Sequence, residues 1–124
     1  MAGEQILVVE DNELNMKLLR DVLFATGYRT LEATTGAEAV ELASANAPAL
    51  VLMDIQLPDI DGVQVLHRLR ADERTAAIPV LALTAQAMQG DRHGFLSAGF
   101  DGYISKPVNV REFIGTVRRY CDER

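Results

Sequence analysis

The chain has 124 residues, 48% of them apolar, so it can bury a core and is too apolar to stay disordered. Its net charge of −6 disfavours a surface built for nucleic acid or an anionic membrane, both of which need Lys and Arg. It suits a protein that meets a metal cation. Cys121 is the single cysteine, which excludes an internal disulfide. It falls on an apolar helical position and reads as a small buried hydrophobe. No charged-then-apolar leader opens the chain and no apolar run approaches a membrane span. The expectation is one soluble, cytoplasmic domain over residues 1–124, with no output domain.

In chain order, five β-rich runs stand out: Ile6–Val9, Arg29–Ala33, Leu50–Met53, Val80–Leu83 and Gly102–Ser105. The Arg29 run is mixed in polarity and reads as an edge strand. Helical patterns fill the gaps. Asn12 can cap a helix that shares Asn15, Leu18, Leu19, Val22 and Leu23 on one face and stops at Gly27. Thr35 and Glu38 form a capping-box pattern before Val40 and Ala43. Val63, Leu66 and Leu69 carry a third helix. Gln86–Ala98 is a weak helical segment with Gly90 and Gly94 inside it. Val110, Phe113, Ile114, Val117, Tyr120 and Cys121 give the cleanest stripe.

This alternation predicts an α/β fold, a (βα)5 flavodoxin-like three-layer sandwich with parallel strand order 2-1-3-4-5. Ligands of such sheets bind beyond the carboxyl ends of the strands. There strand 1 ends in Glu10-Asp11, strand 3 in Asp54, strand 4 in Thr84-Ala85 and strand 5 in Ser105-Lys106-Pro107.

Each of these residues has an ordinary reading when taken alone. Asp11 and Asn12 can cap a helix, Asp54 can serve a turn before Pro58, Thr84 suits any strand and Lys106 any surface. Their conjunction at four strand ends favours one shared task. Two carboxylates about 4 Å apart repel by about 4 kcal/mol at an effective dielectric near 20. Three on one edge therefore call for a cation or a raised pKa. Lys106 offers one positive charge. All-oxygen ligands without His or Cys point to Mg²⁺ for the rest. A carboxylate can attack phosphorus to give an aspartyl phosphate, with Lys106 and Thr84 placed to meet the phosphoryl oxygens.

"LVVEDN" (Leu7–Asn12), "LMDIQLPDIDG" (Leu52–Gly62), "ALTA" (Ala82–Ala85) and "YISKP" (Tyr103–Pro107), in this order, resemble the receiver domain of two-component response regulators. The resemblance covers essentially the whole chain. Within it, "VEDNELNMKLL" and "MDIQLP" are similar to stand-alone cell-cycle regulators, although receivers of hybrid kinases share similar text. The resemblance implies that Asp54 is the phosphoacceptor. It makes Asp11, Asp54 and the backbone carbonyl of Gln56 ligands of Mg²⁺, with Glu10 acting through water. Thr84 and Tyr103 become a switch pair, Lys106 the phosphate-binding lysine, and Lys106-Pro107 a cis peptide. It also implies a histidine kinase or histidine phosphotransfer protein as donor. A downstream kinase or adaptor would meet the face made by the fourth helical segment, strand 5 and the last helix. The implied protein is a phosphorelay switch and not a turnover enzyme. The alternative is a receiver module cut from a larger hybrid kinase or multi-domain regulator.

Three rivals fit less well. A hydrolase resembling haloacid dehalogenases needs an acid two residues after the nucleophile, where Gln56 stands. A flavodoxin-like electron carrier needs a phosphate-cradling loop after strand 1, where "EDNELN" is acidic. A pure scaffold does not need a complete acidic site. His67 and His93 lack ligand spacing and are expected to face solvent. Met16, Met53 and Met88 are expected to fill the core or an interface.

Overall fold

The computed structural model describes residues 3–55, 57, 59, 61–84 and 99–122. In chain order the described elements are strand β1 (Gln5–Val9), helix α1 (Glu13–Ala25), β2 (Arg29–Ala33), α2 (Gly36–Asn46), β3 (Leu50–Asp54), α3 (Gly62–Ala71), β4 (Val80–Thr84), β5 (Gly102–Ser105) and α4 (Val110–Asp122). All strand pairings are parallel, and the sheet order is β2-β1-β3-β4-β5, as the alternation predicts. Residues 86–98, expected as the weak helical segment, lie outside the described residues, as do Gln56, Met88 and His93.

The period of two along each strand divides the core into two layers. Ile6, Val8, Leu50, Leu52, Leu81 and Leu83 point to one face, where Met16, Leu19 and Leu23 of α1 and Phe113, Val117 and Cys121 of α4 cover them. Leu7, Val9, Val51, Met53, Val80 and Ala82 point to the other, against Ala39 and Ala43 of α2 and Val65, Leu66 and Leu69 of α3. Strands β3 and β4 are buried throughout, which is why they read as continuous apolar runs. Strand β2 lies at the edge, with Arg29 and Glu32 exposed, as its mixed composition predicts.

The helix starts follow their caps. Asn12 accepts from the Asn15 amide at 3.0 Å, and Gly27 takes a φ of 95° just beyond the end of α1. Thr35 Oγ1 accepts from the Glu38 amide at 3.2 Å, while Glu38 returns its bond to the Thr34 amide at 2.8 Å, one residue earlier than a capping box requires.

Two predicted faces need correction. Met16, and not Leu18, belongs to the buried stripe of α1, and Leu18 is 38% exposed. The stripe is centred on Met16, Leu19 and Leu23, which leaves Leu18 beyond its margin and Asn15 and Val22 on its flank. Val110, the first position of the α4 stripe, is likewise exposed, and the buried stripe begins at Phe113. Strands β3 and β4 each run one residue beyond their apolar cores, so Asp54 and Thr84 are strand residues. Gly62 opens α3 where a Cβ would stand 2.9 Å from Ile55 Cα, so only glycine lets the loop after β3 close onto its own strand.

Candidate functional site

The carboxyl ends of β1, β3, β4 and β5 meet at one edge of the sheet. Glu10 follows β1 and is 1% exposed. Its amide donates to the Ala33 carbonyl at 3.0 Å, and its Oε2 accepts from the Asn12 amide at 3.1 Å. These bonds turn the Glu10 carboxylate inward while Asp11, the next residue, stays exposed. Asp54 and Thr84, the last residues of β3 and β4, are both buried. Lys106 arrives from beyond β5, where its amide donates to the Thr84 carbonyl at 2.8 Å. The Lys106-Pro107 peptide is cis, as expected.

The Lys106 ammonium bridges two carboxylates, 2.8 Å from Glu10 Oε1 and 3.1 Å from Asp54 Oδ2. Burial pulls the Lys106 pKa down, but its bonds to Glu10 and Asp54 outweigh that and hold it above the ordinary lysine value. Burial pushes the Glu10 carboxyl above its ordinary value, Lys106 offsets part of this, and the neighbouring Asp54 raises it again. Two buried carboxylates thus share one ammonium, and a third, Asp11, lies beside them. Glu10, Asp11 and Asp54 each offer an oxygen, all within 4.8 Å of one another. A purely oxygen donor set of this charge fits a hard divalent cation such as Mg²⁺, which takes one or two carboxylates and keeps several waters.

Of the residues expected at the site, Glu10, Asp11, Asp54 and Lys106 come together directly. Thr84 ends the strand beside Asp54 and pairs in register with Ser105. Tyr103 lies one step back from the edge, in register with Ala82, and packs half-buried against the α2–α3 layer. The Gln56 carbonyl and Ala85 lie outside the described residues. His67 is exposed, and Met16 and Met53 are core, as expected. One residue was not anticipated. Asp59, in the loop after β3, accepts from the amides of Gly36 at 2.7 Å and Ala37 at 3.1 Å. No local pattern in "LPDIDG" announces a partner at the start of a different helix.

The sequence matches the response regulator receiver domain over residues 6–118. It is 48% identical over 120 residues to the polar-differentiation response regulator DivK of Brucella ovis, covering 97% of this chain and 98% of that protein. Among solved structures, it is similar to the receiver domain of a sensor histidine kinase from Pseudomonas aeruginosa PAO1. That similarity has 37% identity and a TM-score of 0.89, and covers 98% of this chain and 99% of the other. The Pseudomonas structure carries a magnesium ion coordinated in its active-site cleft. A response regulator receiver domain from Francisella gives a TM-score of 0.89 at 26% identity, with 98% of both chains covered.

Proposed function

This chain belongs to the response regulator receiver domain family, and on that premise we propose that it is a phosphorelay switch whose phosphoacceptor is Asp54. The observation that carries this reading is the Lys106 bridge. A buried carboxylate at a strand end, 3.1 Å from an ammonium and beside two more carboxylates, is held where a phosphoryl group can be received. The donor is a histidine kinase or a histidine phosphotransfer protein. An Asp54 carboxylate oxygen attacks phosphorus, the bond from phosphorus to the donor breaks, and the electron pair leaves with the donor. Lys106 balances charge on the transferred group, and the Thr84 hydroxyl donates to one of its oxygens. Asp11, Asp54 and the Gln56 carbonyl, with Glu10 through water, are the residues to hold Mg²⁺. When bound, Mg²⁺ neutralises charge on the phosphoryl oxygens.

The test is incubation of the chain with acetyl phosphate. A mass increase of one phosphoryl group is expected with Mg²⁺ and none in excess chelator. Equal labelling with and without metal would defeat the reading.

Asp11 and Glu13 separate the proposed metal ligand from its acidic neighbour. Both are exposed, but Asp11 belongs to the three-carboxylate cluster and Glu13 begins α1. Asp11→Asn is expected to weaken Mg²⁺ binding at least on the order of 10-fold, the scale of a metal-site change, and Glu13→Gln much less. An amide-shift titration with Mg²⁺ measures both, and equal losses would remove Asp11 from the ligand set.

We further propose that the domain acts alone in the cytoplasm and controls cell division or polarity. The match to the Brucella polar-differentiation regulator, over 98% of that protein's length, supports the polarity reading. Among the described residues, no helix is long and apolar enough to cross a membrane. The output is a change in partner binding, in which Thr84 turns toward the phosphoryl group and Tyr103 follows inward beside β5. The partner, a kinase or adaptor, meets the face of β5, α4 and the segment between β4 and β5. Beryllofluoride, a mimic of the phosphoryl group, is expected to change the affinity for such a partner, and Thr84→Ala and Tyr103→Ala to blunt that change. An affinity indifferent to the mimic and to both substitutions would rule the switch pair out.

A further inference from the structure

We propose that Asp59 is a positioning residue for the phosphoacceptor site, tying the loop after Asp54 to the start of α2 and, through β2, to Glu10. This rests on the function proposed above. The two Asp59 oxygens take different amides, Gly36 at 2.7 Å and Ala37 at 3.1 Å, across 23 and 22 residues of sequence. Those amides belong to the first turn of α2, where backbone donors are unspent and negative charge is favoured.

Each adjoining helix also has a cap of its own. Thr35 accepts from the Glu38 amide in α2, and Asp61 accepts from the Val63 amide at 2.7 Å in α3. What Asp59 adds is a link between loops. Three residues before Gly36, the Ala33 carbonyl accepts from the Glu10 amide at 3.0 Å. At its other end, the Asp59 loop is closed by Gly62, whose amide donates to the Ile55 carbonyl at 3.0 Å. The Ile55 amide donates to the Leu83 carbonyl at 3.3 Å.

The links form a ring. Asp54 leads through its loop to Asp59, from Asp59 to α2, from Ala33 to Glu10, and from Glu10 through Lys106 back to Asp54. The link from β2 to β1 continues the sheet ladder at Ala33, and the link from β1 to β3 passes through Lys106 from beyond β5. Opening the ring at Asp59 leaves the β1–β3 register and the Lys106 bridge in place but frees the loop after Asp54 from the start of α2.

The test uses the whole isotope-labelled chain and the variants Asp59→Ala and Asp59→Asn. Asparagine keeps the shape and one acceptor oxygen, and both variants remove the same charge. The Mg²⁺ midpoint, read from amide shifts well below the melting temperature, is expected to rise roughly 10-fold in Asp59→Ala, the scale of losing an outer partner of a metal ligand. In Asp59→Asn it stays closer to the parent. In chelator, amide exchange at Glu10 and Ile55 is expected to quicken in Asp59→Ala, beyond any change at Gly36 and Ala37 alone. Equal midpoints for the two variants would reduce Asp59 to a long-range charge and overturn the proposal. So would a lowered melting temperature with an unchanged midpoint and unchanged exchange at Glu10 and Ile55. A parent chain that binds no Mg²⁺ defeats the proposed metal-dependent phosphoacceptor, while the exchange at Glu10 and Ile55 still decides the link.

Discussion

Asp54→Asn is expected to take up no phosphoryl group from acetyl phosphate under conditions that label the parent chain. The substitution is nearly isosteric, so β3 and its register with β4 are retained. What it removes is the charged oxygen proposed to attack phosphorus, and an amide is too weak a nucleophile to replace it. The other two carboxylates of the site differ from Asp54 in their contacts or exposure. Glu10 is buried, but its Oε1 is held by Lys106 and its Oε2 by the Asn12 amide. Asp11 is exposed and does not contact Lys106. The loss is therefore expected to be complete and not shared among the three. The fold provides the control. Removing one of three clustered carboxylates relieves repulsion and leaves Lys106 paired with Glu10, so the variant is expected to melt no lower than the parent in chelator. Mass spectrometry decides the first part and thermal unfolding the second. Labelling of Asp54→Asn at the parent's level would move the phosphoacceptor elsewhere.

How far such a site can be read before the structure is known depends on the range of the interactions involved. Asp54 and Thr84 were legible because each directly follows an apolar run, and the alternation of runs places those ends at one edge. The β2 edge position was legible from Arg29 and Glu32, since a strand buried on both faces would not carry them. The helix caps at Asn12 and Thr35 are local and were found. The pairing of Lys106 with Glu10 was not specified in detail, because it joins opposite ends of the chain and depends on how the loop after β5 turns. Asp59 was missed for the same reason, as was the Arg70 fork at the other end of the sheet. That guanidinium reaches the Ile78 carbonyl at 2.6 Å and Asp101 Oδ2 at 2.8 Å, while Asp101 also accepts from the Val80 amide at 2.7 Å. Polar partners brought together by topology leave no periodic trace. The error at Leu18 is of another kind. Met16 and Leu18 offer two overlapping apolar stripes on α1, and hydrophobicity alone does not choose between them.

The Lys106 bridge also governs stability, and Lys106→Met exposes its magnitude. Methionine fills a similar linear volume without the charge, so the comparison isolates the ion pairs. Glu10 and Asp54 are buried, and the Lys106 side chain is only 18% exposed. Removing one partner of a buried pair leaves an uncompensated charge and costs about 3 kcal/mol. In chelator near neutral pH, Lys106→Met is therefore expected to unfold at markedly lower denaturant. The pH dependence identifies the cause. Glu10 in the folded parent already titrates above its ordinary value of 4.5, because burial outweighs the help from Lys106. Without Lys106 it titrates higher still. A carboxyl raised in the folded state costs stability as the pH climbs from the unfolded value through the folded one, and the cost disappears on acidification. The deficit of Lys106→Met should accordingly be largest near neutrality and shrink as the pH falls toward 4.5. Two further restorations are expected at neutral pH. Glu10→Gln added to Lys106→Met removes one stranded charge and recovers part of the loss. Mg²⁺ at about 100 times its dissociation constant adds about 2.7 kcal/mol by binding the folded chain alone. Denaturant unfolding at several pH values, with and without metal, measures all three. A deficit independent of pH, and untouched by Glu10→Gln, would mean that Lys106 stabilises the fold through its packing and not through the carboxylates it bridges.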